Sequence, residues 1–470
     1  MSKESKTKGM GAVDLTLFSV CAVLVIDTLT ASARIGPSSI TWWCITLIFF
    51  VVPYGMIASE LGTTWPGEGG IYDWIKRAFG YRWAVRTTWY YWINVALWMP
   101  AVFILFAGMF SQLFFPELNL WAQIAIGVVL TWITVGICDI SVDQGKLVPN
   151  LGALAKVIII LALGGGGFYL AATKGVANEI SLAKMVPSLD SGLAFLPAII
   201  FNLLGFELVS CMGGAIRDPR RDVPKSIFTA AITVTLLYIL GTIGILLALP
   251  IDQIGLVSGI VEAFRMLFGE QSATVIVLGI LALFTFVTNM VTWCMGANRA
   301  AAEAAAEGEL PALFGKVDPR TGAPRGANLV TGMVSTTVIV LYGFIAGSND
   351  ELFWTLFAFS SCIFLLPYLF MFPAFLRLRR IAPDEHRPFR VPGGGGVALV
   401  AALVPTLFVI QAVILFIFPS AAVGEVDWGY SLPVLVGIVL TLLVGEVMVR
   451  RAVKNKNNAA AVAESRPSAV

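Results

Sequence analysis

The sequence is poor in charged residues and has long stretches with none. Only 13% of its 470 residues are charged and 58% are hydrophobic, whereas a soluble domain contains roughly a quarter charged residues. The chain therefore has too little charge to cover a water-facing surface, and a domain count based on globular domain size does not apply. The net charge is only +2, and without a long basic or acidic run the sequence gives no sign of a nucleic-acid partner.

Residues for metal binding, redox chemistry and catalysis are also scarce. The six cysteines stand singly in apolar segments without metal-ligand spacing, which favours small core residues over disulfides or metal ligands. The single histidine, His386, lies in a polar loop. With no paired histidines and no nucleotide-binding loop, we predict no metal, no cofactor and no enzymatic activity. A membrane enzyme or sensor is the disfavoured alternative.

What the sequence does have is a series of apolar segments. A bilayer core about 30 Å thick requires about 20 apolar residues per helix. We therefore predict an all-α membrane protein with twelve transmembrane helices. Their expected ranges are 13–37, 41–62, 83–113, 119–140, 147–172, 192–214, 226–250, 273–300, 328–347, 352–376, 396–418 and 430–450.

The basic residues give an independent test of this count, because Lys and Arg gather in the cytoplasmic loops of membrane proteins. Most of the 31 Lys and Arg residues fall at the N-terminus, in alternate loops and in the C-terminal tail. Only Lys174, Lys184 and Arg265 fall on the other side, with Arg34 and Lys156 inside spans. Both termini are therefore predicted to be cytoplasmic.

The predicted organisation follows from these spans. The Lys-rich start runs into apolar sequence without a small-residue cleavage site, which indicates a retained first helix rather than a signal peptide. We expect a ten-helix core at 13–376, built from inverted repeats at about 13–172 and 192–376. The other expected parts are a cytoplasmic tail at 1–12, two additional helices at 396–450 and a second cytoplasmic tail at 451–470.

Ionisable residues inside spans are functional candidates, because each costs at least about 2.5–3.5 kcal/mol to insert. Glu446 lies one turn from Arg450, so pairing or snorkelling explains it. Arg34 could form a gate ion pair or snorkel from a helix end. The remaining candidates are Asp27, Lys156 and Glu207.

Asp27 and Glu207 interrupt the first and sixth spans. Gly205 and Asn202 beside Glu207 suggest a helix that opens its backbone toward a cavity. If the halves are inverted repeats, the two interruptions occupy matching positions and face one central site. Carboxylates there, with Phe201 and Trp293 as aromatic walls, would suit an ammonium ligand. The alternatives are a structural salt bridge from Asp27 to Lys156 and ordinary helix packing for the aromatic rings.

Several loop segments resemble the amino acid/polyamine/organocation (APC) superfamily of transporters. They are Ala58–Leu61 with Trp65–Trp74, Gly205–Glu207 with Asp218–Pro224, Asn298–Arg299 with Gly308–Pro311, and Arg387–Gly394. They occur in the family's order from about residue 13 to 450. The resemblance implies a five-plus-five inverted repeat, discontinuous helices 1 and 6, and alternating access to a site between spans 1, 3, 6, 8 and 10.

The resemblance also implies roles for individual residues. Phe201 matches an aromatic gate, Trp293 a second aromatic wall, and Lys156 the fifth-helix lysine of proton-coupled members. Asp27-Thr28 replaces the glycines that hold a substrate carboxylate in amino acid carriers, and is more similar to the putrescine-importer branch.

We therefore predict a secondary transporter in a bacterial inner membrane that takes up a small cationic amine or polyamine together with protons. Lys156 is the expected coupling group; the alternative is a permanently charged lysine that only ties helices together. An amino acid transporter, or an antiporter that exchanges an amino acid for an amine, is the alternative function. The expected substrate-binding residues are Asp27, Thr28, Phe201, Asn202, Gly205, Glu207 and Trp293.

Overall fold

The computed structural model describes residues 10–26, 28–67, 69–116, 118–140, 147–187 and 191–464. These residues form helices and loops, and none of them belongs to a β-strand. The first eight helices are α1 (Ala12–Val23), α2 (Leu29–Arg34), α3 (Ser38–Thr46), α4 (Val52–Thr64), α5 (Ile71–Phe79), α6 (Tyr81–Phe114), α7 (Leu120–Ile140) and α8 (Leu147–Lys174).

The second half of the chain contains eight further helices. They are α9 (Leu196–Phe201), α10 (Pro219–Ala248), α11 (Gly259–Phe268), α12 (Ala273–Ala306), α13 (Arg325–Gly343), α14 (Asn349–Ile381), α15 (Gly394–Ile417) and α16 (Trp428–Glu464). A π-helical turn at Leu47–Val51 joins α3 to α4, and a 3₁₀ helix at Phe206–Ala215 follows α9.

Eleven segments of the described chain are long and apolar enough to cross a membrane. The chain is therefore a multi-pass, all-helical membrane protein. The first predicted span, 13–37, corresponds to α1 and α2, of which neither alone has that length. The sixth predicted span, 192–214, is likewise divided between α9 and the 3₁₀ helix that follows it. The other predicted spans match helices, but α10 begins at Pro219 rather than at 226, and α12 and α16 continue to Ala306 and Glu464, past the predicted ends at 300 and 450.

Both interruptions that the sequence predicts are present. Helix α1 ends at Val23 and α2 begins at Leu29. Helix α9 ends at Phe201, and helical structure resumes as a 3₁₀ helix at Phe206. Gly205 closes the second interruption at φ +105°, a conformation that residues with a Cβ rarely adopt.

Burial separates central helices from peripheral ones. In the most apolar part of α6, 89% of residues are buried inside the protein, compared with 33% in α7 and α16. The outward faces of α7, α15 and α16 present valine, leucine and isoleucine, as expected of helices in contact with lipid.

Four cysteines are buried, in agreement with their prediction as core residues, and the five described as free form no disulfide. Cys44 is exposed, so the prediction is wrong for this residue. It lies on α3, where several neighbouring residues also face outward, and hydropathy cannot distinguish a lipid-facing position from a core position. The side chain of Cys211 lies outside the described residues.

Candidate functional site

The end of α1 is held by side chains from three other helices. A helix leaves its last carbonyls without backbone partners, and these groups need donors when they are buried. Lys156 on α8, Trp293 on α12 and Tyr238 on α10 supply them. The bonds are Lys156 Nζ to Cys21 O at 2.6 Å, Trp293 Nε1 to Ala22 O at 2.9 Å, and Tyr238 Oη to Val23 O at 2.8 Å.

The two interrupted segments meet directly. Thr28 Oγ1, at the start of α2, donates to Asn202 Oδ1, at the end of α9, over 2.5 Å. Both residues are buried, and Asn202 Nδ2 has no hydrogen-bond partner among the described residues. Gly205 lies so close to Trp293 that a Cβ at this position would be 3.1 Å from the indole ring. The interruptions therefore form one compact region with unused hydrogen-bonding capacity.

Four aromatic rings surround this region, and we call Trp98, Phe201, Trp293 and Phe364 the aromatic cluster. The Trp98 ring is 5.6 Å from Phe201 and 5.8 Å from Trp293, edge to face in both pairs. Phe364 is 5.7 Å from Phe201 and 5.3 Å from Trp293. The electron-rich faces of such rings attract cations, most strongly where water is excluded.

Glu207 is fully buried and accepts hydrogen bonds from three tyrosine hydroxyls, which we call the tyrosine cage. Tyr91 Oη lies 3.0 Å from Glu207 Oε1, and Tyr368 Oη lies 2.8 Å from the same oxygen. Tyr54 donates to Oε2 and accepts the Gly205 amide at 3.2 Å. A carboxylate in such surroundings requires several donors. The cage supplies them and connects Glu207 to α4, α6 and α14.

Lys156 is as deeply buried as Glu207. Besides Cys21 O, its ammonium group donates to Asn289 Oδ1 at 2.7 Å. These contacts join α1, α8 and α12. They also place the lysine beside the end of α1, where any movement of the interrupted segment would change its contacts.

A buried ion-pair network, the inner rim, lies at the end of α4. Arg379 holds both oxygens of Glu60 at 2.9 and 2.5 Å, and Arg387 Nε lies 3.2 Å from Oε1. The Val391 amide donates to the same carboxylate at 2.7 Å. Two of the sequence segments that resemble the APC superfamily, around Glu60 and Arg387, are therefore in direct contact.

A second ion pair at this end lies beside the contact of Tyr72 with Glu309, which joins the segments Trp65–Trp74 and Gly308–Pro311. Lys76 Nζ lies 2.5 Å from Glu307 and 3.7 Å from Glu309, and Tyr72 Oη donates to Glu309. The hydrogen bond from Lys76 lowers the pKa of Glu307. Burial, and then the Glu309 carboxylate, raise the pKa of Tyr72. This contact ties α5 to the end of α12.

The opposite end of the protein has a different charge. A cavity of about 550 Å³ there is lined by Asp350, Glu351 and Asp427 and by aromatic rings that include Trp354. Phe195 also lines this cavity. The guanidinium of Arg34 lies 5.3 Å from the centre of the Phe195 ring. Three carboxylates around a cavity raise the local concentration of cations.

The structure brings most of the predicted site residues together around the two interruptions. These residues are Thr28, Phe201, Asn202, Gly205, Glu207, Trp293 and Lys156. Asp27 lies outside the described residues. Glu446 pairs with Arg450 at 3.4 Å, as expected, and also with Arg86 at 2.9 Å, which supports its structural interpretation.

Sequence reasoning missed several side chains of the site. They are Tyr54, Tyr91, Trp98, Asn289 and Tyr368. Tyr91 and Trp98 lie seven residues apart, and hence on one face of α6. That spacing was a usable signal, but it is equally typical of helix packing and does not identify the partner.

A bundle of membrane-spanning helices with two interrupted segments around a buried polar centre defines a carrier for small molecules. The sequence model of a family described as "Amino acid permease" matches residues 10–444. The chain belongs to this family, and the predicted relationship to the APC superfamily is confirmed. It is a transporter and not an enzyme.

Three relatives extend the comparison. A Lactococcus lactis protein named "Probable agmatine/putrescine antiporter AguD" is 36% identical over 452 residues, covering 94% of this chain and 96% of that protein. "Uncharacterized transporter lpg1691" of Legionella pneumophila is 28% identical, covering 88% and 90%. A "Glutamate/gamma-aminobutyrate antiporter" of Lactococcus lactis is 21% identical, covering 84% and 81%.

Proposed function

We propose that the protein moves a small cationic amine across a bacterial inner membrane by alternating access to the region between the two interruptions. The observation that supports this most directly is the contact of Thr28 with Asn202 beside the aromatic cluster. Two opened backbone segments, the unused amide donor of Asn202 and aromatic faces lie around one position. This combination suits an ammonium group with an apolar body.

The charge distribution favours a cation over a neutral amino acid. Asp27 and Glu207 contribute carboxylates to the interrupted segments, and the cavity at the opposite end from the inner rim is lined by three more. Asp27 would repel the carboxylate of an amino acid and attract an amine. In the described conformation Glu207 is occupied by the tyrosine cage, so it becomes available to substrate only if those bonds open.

The relative named as an agmatine/putrescine antiporter favours exchange of one amine for another. Exchange of an amino acid for an amine remains the second candidate, supported by the more distant antiporter for glutamate and gamma-aminobutyrate. In that case Asp27 binds the amino group and the backbone amides of the interruptions bind the carboxylate.

Lys156 is the proposed proton-coupling group. Its bond to Cys21 O links its environment to the position of α1. A lysine that only ties helices together would instead remain charged throughout the cycle. Lys156→Met distinguishes these roles: transport that is retained but no longer depends on pH supports coupling, whereas loss of transport at every pH supports a purely structural tie.

The finer architecture is also a proposal. Counting α1 and α2 as one crossing gives twelve spans, with α1–α8 and α9–α14 as inverted repeats and α15–α16 outside the core. Interruptions at the start of each half support the repeat. The basic residues at the inner-rim end support a cytoplasmic location for both termini. Accessibility to a membrane-impermeant thiol reagent of single cysteines placed at either end of a cysteine-free variant tests the orientation.

The first experiment is a thermal-shift binding screen of the purified protein. Diamines, agmatine, cationic amino acids and neutral amino acids are compared on the wild type and on Asp27→Asn. We expect stabilisation by amines that disappears in the variant. Stabilisation by amino acids alone, unaffected by the substitution, would contradict the amine proposal and favour the amino acid exchanger.

The second experiment measures transport in proteoliposomes. Vesicles loaded with unlabelled putrescine are compared with empty vesicles for uptake of labelled agmatine, with and without a pH gradient. Exchange predicts rapid uptake only into loaded vesicles. Uptake into empty vesicles driven by the pH gradient alone would replace exchange with proton symport.

A further inference from the structure

A basic cavity lies where the start of α6 faces residues 446–454 of α16, on the periphery of the protein. Its volume is about 530 Å³, within the usual range for small-molecule sites. Four cations and one carboxylate line it: Arg82, Arg86, Arg450, Lys454 and Glu446. Amine transport does not explain this cavity, because its lining includes none of the residues around the interruptions and its net positive charge repels cations.

The charges in the cavity are only partly compensated. Glu446 is shared by Arg86 at 2.9 Å and Arg450 at 3.4 Å. Arg82 and Lys454 form no ion pair with any other residue in the part of the chain that the structure describes. An anion entering the cavity would therefore meet a net charge of about +3 and donors of charge-assisted hydrogen bonds.

The surroundings of the cavity are those of a membrane interface. The Arg86 guanidinium lies 4.9 Å from the ring of Trp83, which is 39% exposed. On α16, the turns that lead up to the cavity present Leu443 and Val447 to the outside, 58% and 48% exposed. Cations at the headgroup level above an exposed apolar helix face match the two parts of a phospholipid.

We propose that this cavity binds the phosphate headgroup of an anionic phospholipid, with the acyl chains along the outer face of α16. Arg82, Arg450 and Lys454 would hold the phosphate oxygens, while Arg86 stays fixed by Glu446 and Trp83. Because α6 also contributes Tyr91 and Trp98 to the central site, a bound lipid stabilises the helix on which that site depends. The proposal does not depend on which substrate is transported.

The test measures thermal stability and lipid retention of the detergent-purified protein. Phosphatidylglycerol and cardiolipin are compared with phosphatidylcholine, glycerol phosphate and inorganic phosphate. The variant Arg82→Gln/Lys454→Gln removes two exposed cations of the cavity. Arg221→Gln/Lys225→Gln is the matched control, because both residues are exposed at the start of α10, outside the cavity.

We expect the two anionic lipids to raise the unfolding temperature and to remain bound in native mass spectra. Each basic residue near an anionic headgroup contributes roughly fivefold in affinity, so the cavity variant should bind about 10- to 30-fold more weakly. The control should retain wild-type affinity. Equal unfolding temperatures of all variants without lipid would show that the substitutions leave the fold intact.

Three results would overturn the proposal. Equal weakening in the cavity variant and the control would indicate general surface attraction. Stabilisation by phosphatidylcholine as strong as that by phosphatidylglycerol would indicate a site for acyl chains without headgroup recognition. A full effect of glycerol phosphate or inorganic phosphate would assign the cavity to a soluble phosphate rather than a lipid.

Discussion

The tyrosine cage and the inner rim each hold a buried glutamate, but they do so with opposite chemistry. Glu207 is held by three neutral hydroxyls, whereas Glu60 is held by two arginines and a backbone amide. Neutral donors stabilise a carboxylate without fixing a second charge inside the protein. Ion pairs instead leave two charges that water must solvate when they separate.

This difference matches what each region would have to do in an alternating-access cycle. At the rim, parted charges reach the aqueous end of the protein and can be hydrated. In the centre, the tyrosine hydroxyls can release the Glu207 carboxylate and bond to a ligand or to one another. No counter-ion is exposed when they do so. We therefore expect the rim to control opening and the cage to control occupancy, and four experiments test this division.

The largest effect is expected for Glu207→Ala. Three buried tyrosine hydroxyls would lose their common acceptor, and each unsatisfied buried group costs about 1–3 kcal/mol. Partial rearrangement should limit the loss of unfolding free energy to about 3–5 kcal/mol, and transport should be abolished. Thermal denaturation and proteoliposome uptake measure both quantities.

Glu270→Ala, which removes an exposed carboxylate, is the control and should behave as wild type. Tyr368→Phe provides a graded comparison, since it removes only one donor and should cost about 1 kcal/mol. If Glu207→Ala were as stable as the wild type, the cage would not be a structural unit of the centre.

Glu60→Gln should have the next largest effect. Gln keeps an acceptor for Val391 but removes the charge that holds Arg379 and Arg387, and hydrogen bonds to charged groups contribute about 1.5–3 kcal/mol. Part of this loss should appear as opening of the rim rather than as unfolding. Hydrogen exchange should therefore increase at residues 387–393, with little change around Gly205.

Glu385→Gln is the matched control, because Glu385 is an exposed acid in the same loop. It should leave the exchange rates unchanged. A uniform increase in exchange over the whole protein in Glu60→Gln would contradict the division between rim and centre.

Gly205→Ala sharpens the description of the centre. The positive φ of Gly205 imposes strain of about 1–3 kcal/mol on a residue with a Cβ, and this Cβ would lie 3.1 Å from Trp293. We expect reduced stability and a loss of transport. Gly175→Ala is the control, since Gly175 has φ +95° with open space around its Cβ position.

The two glycine variants should lose similar stability from backbone strain, while only Gly205→Ala loses transport. Equal transport by both variants would show that the close approach of Gly205 to Trp293 has no functional role.

The smallest effect is expected at the Lys76–Glu307 pair. Because the pKa of Glu307 is lowered in the folded protein, the pair stabilises the protein above the ordinary carboxyl pKa. This contribution is lost as the pH falls through the lowered value. Since Glu307 is 47% exposed, the contribution should be only about 0.2–1 kcal/mol.

The unfolding temperature of the wild type should accordingly fall more between pH 7 and pH 4 than that of Glu307→Gln. Asp384→Asn, which removes an exposed carboxylate in a loop, should retain the wild-type slope. Identical slopes for wild type and Glu307→Gln would show that the pair does not stabilise the protein.

The sequence predicted the membrane-spanning segments well, because hydropathy reports the cost of burying polar groups in lipid and needs no knowledge of tertiary contacts. It also predicted both interruptions, because Asp27 and Glu207 each bring a charge into an apolar span and Gly205 lowers the helix propensity next to Glu207. The predicted positions of Thr28, Asn202 and Trp293 near the interruptions agree with the structure. Their roles toward a substrate stay predictions.

The tyrosine cage and the inner rim could not be predicted in the same way. Tyr54, Tyr91 and Tyr368 come from three helices far apart in sequence, and each alone is an ordinary tyrosine in an apolar segment. In the sequence, Glu60 and Arg387 are distinguished only as parts of loop motifs. Their contact depends on how α4 and α14 pack, which a one-dimensional pattern does not encode.

The bond from the Val391 amide to Glu60 has a mechanical consequence. Helix α15 begins three residues later, at Gly394. A very short connection therefore links the peripheral helices α15 and α16 to the rim. Opening of the rim must therefore either extend these connecting residues or move α15 together with the rim. If α15 moves, a spectroscopic label on this helix would report from a distance whether the inner rim is closed or open.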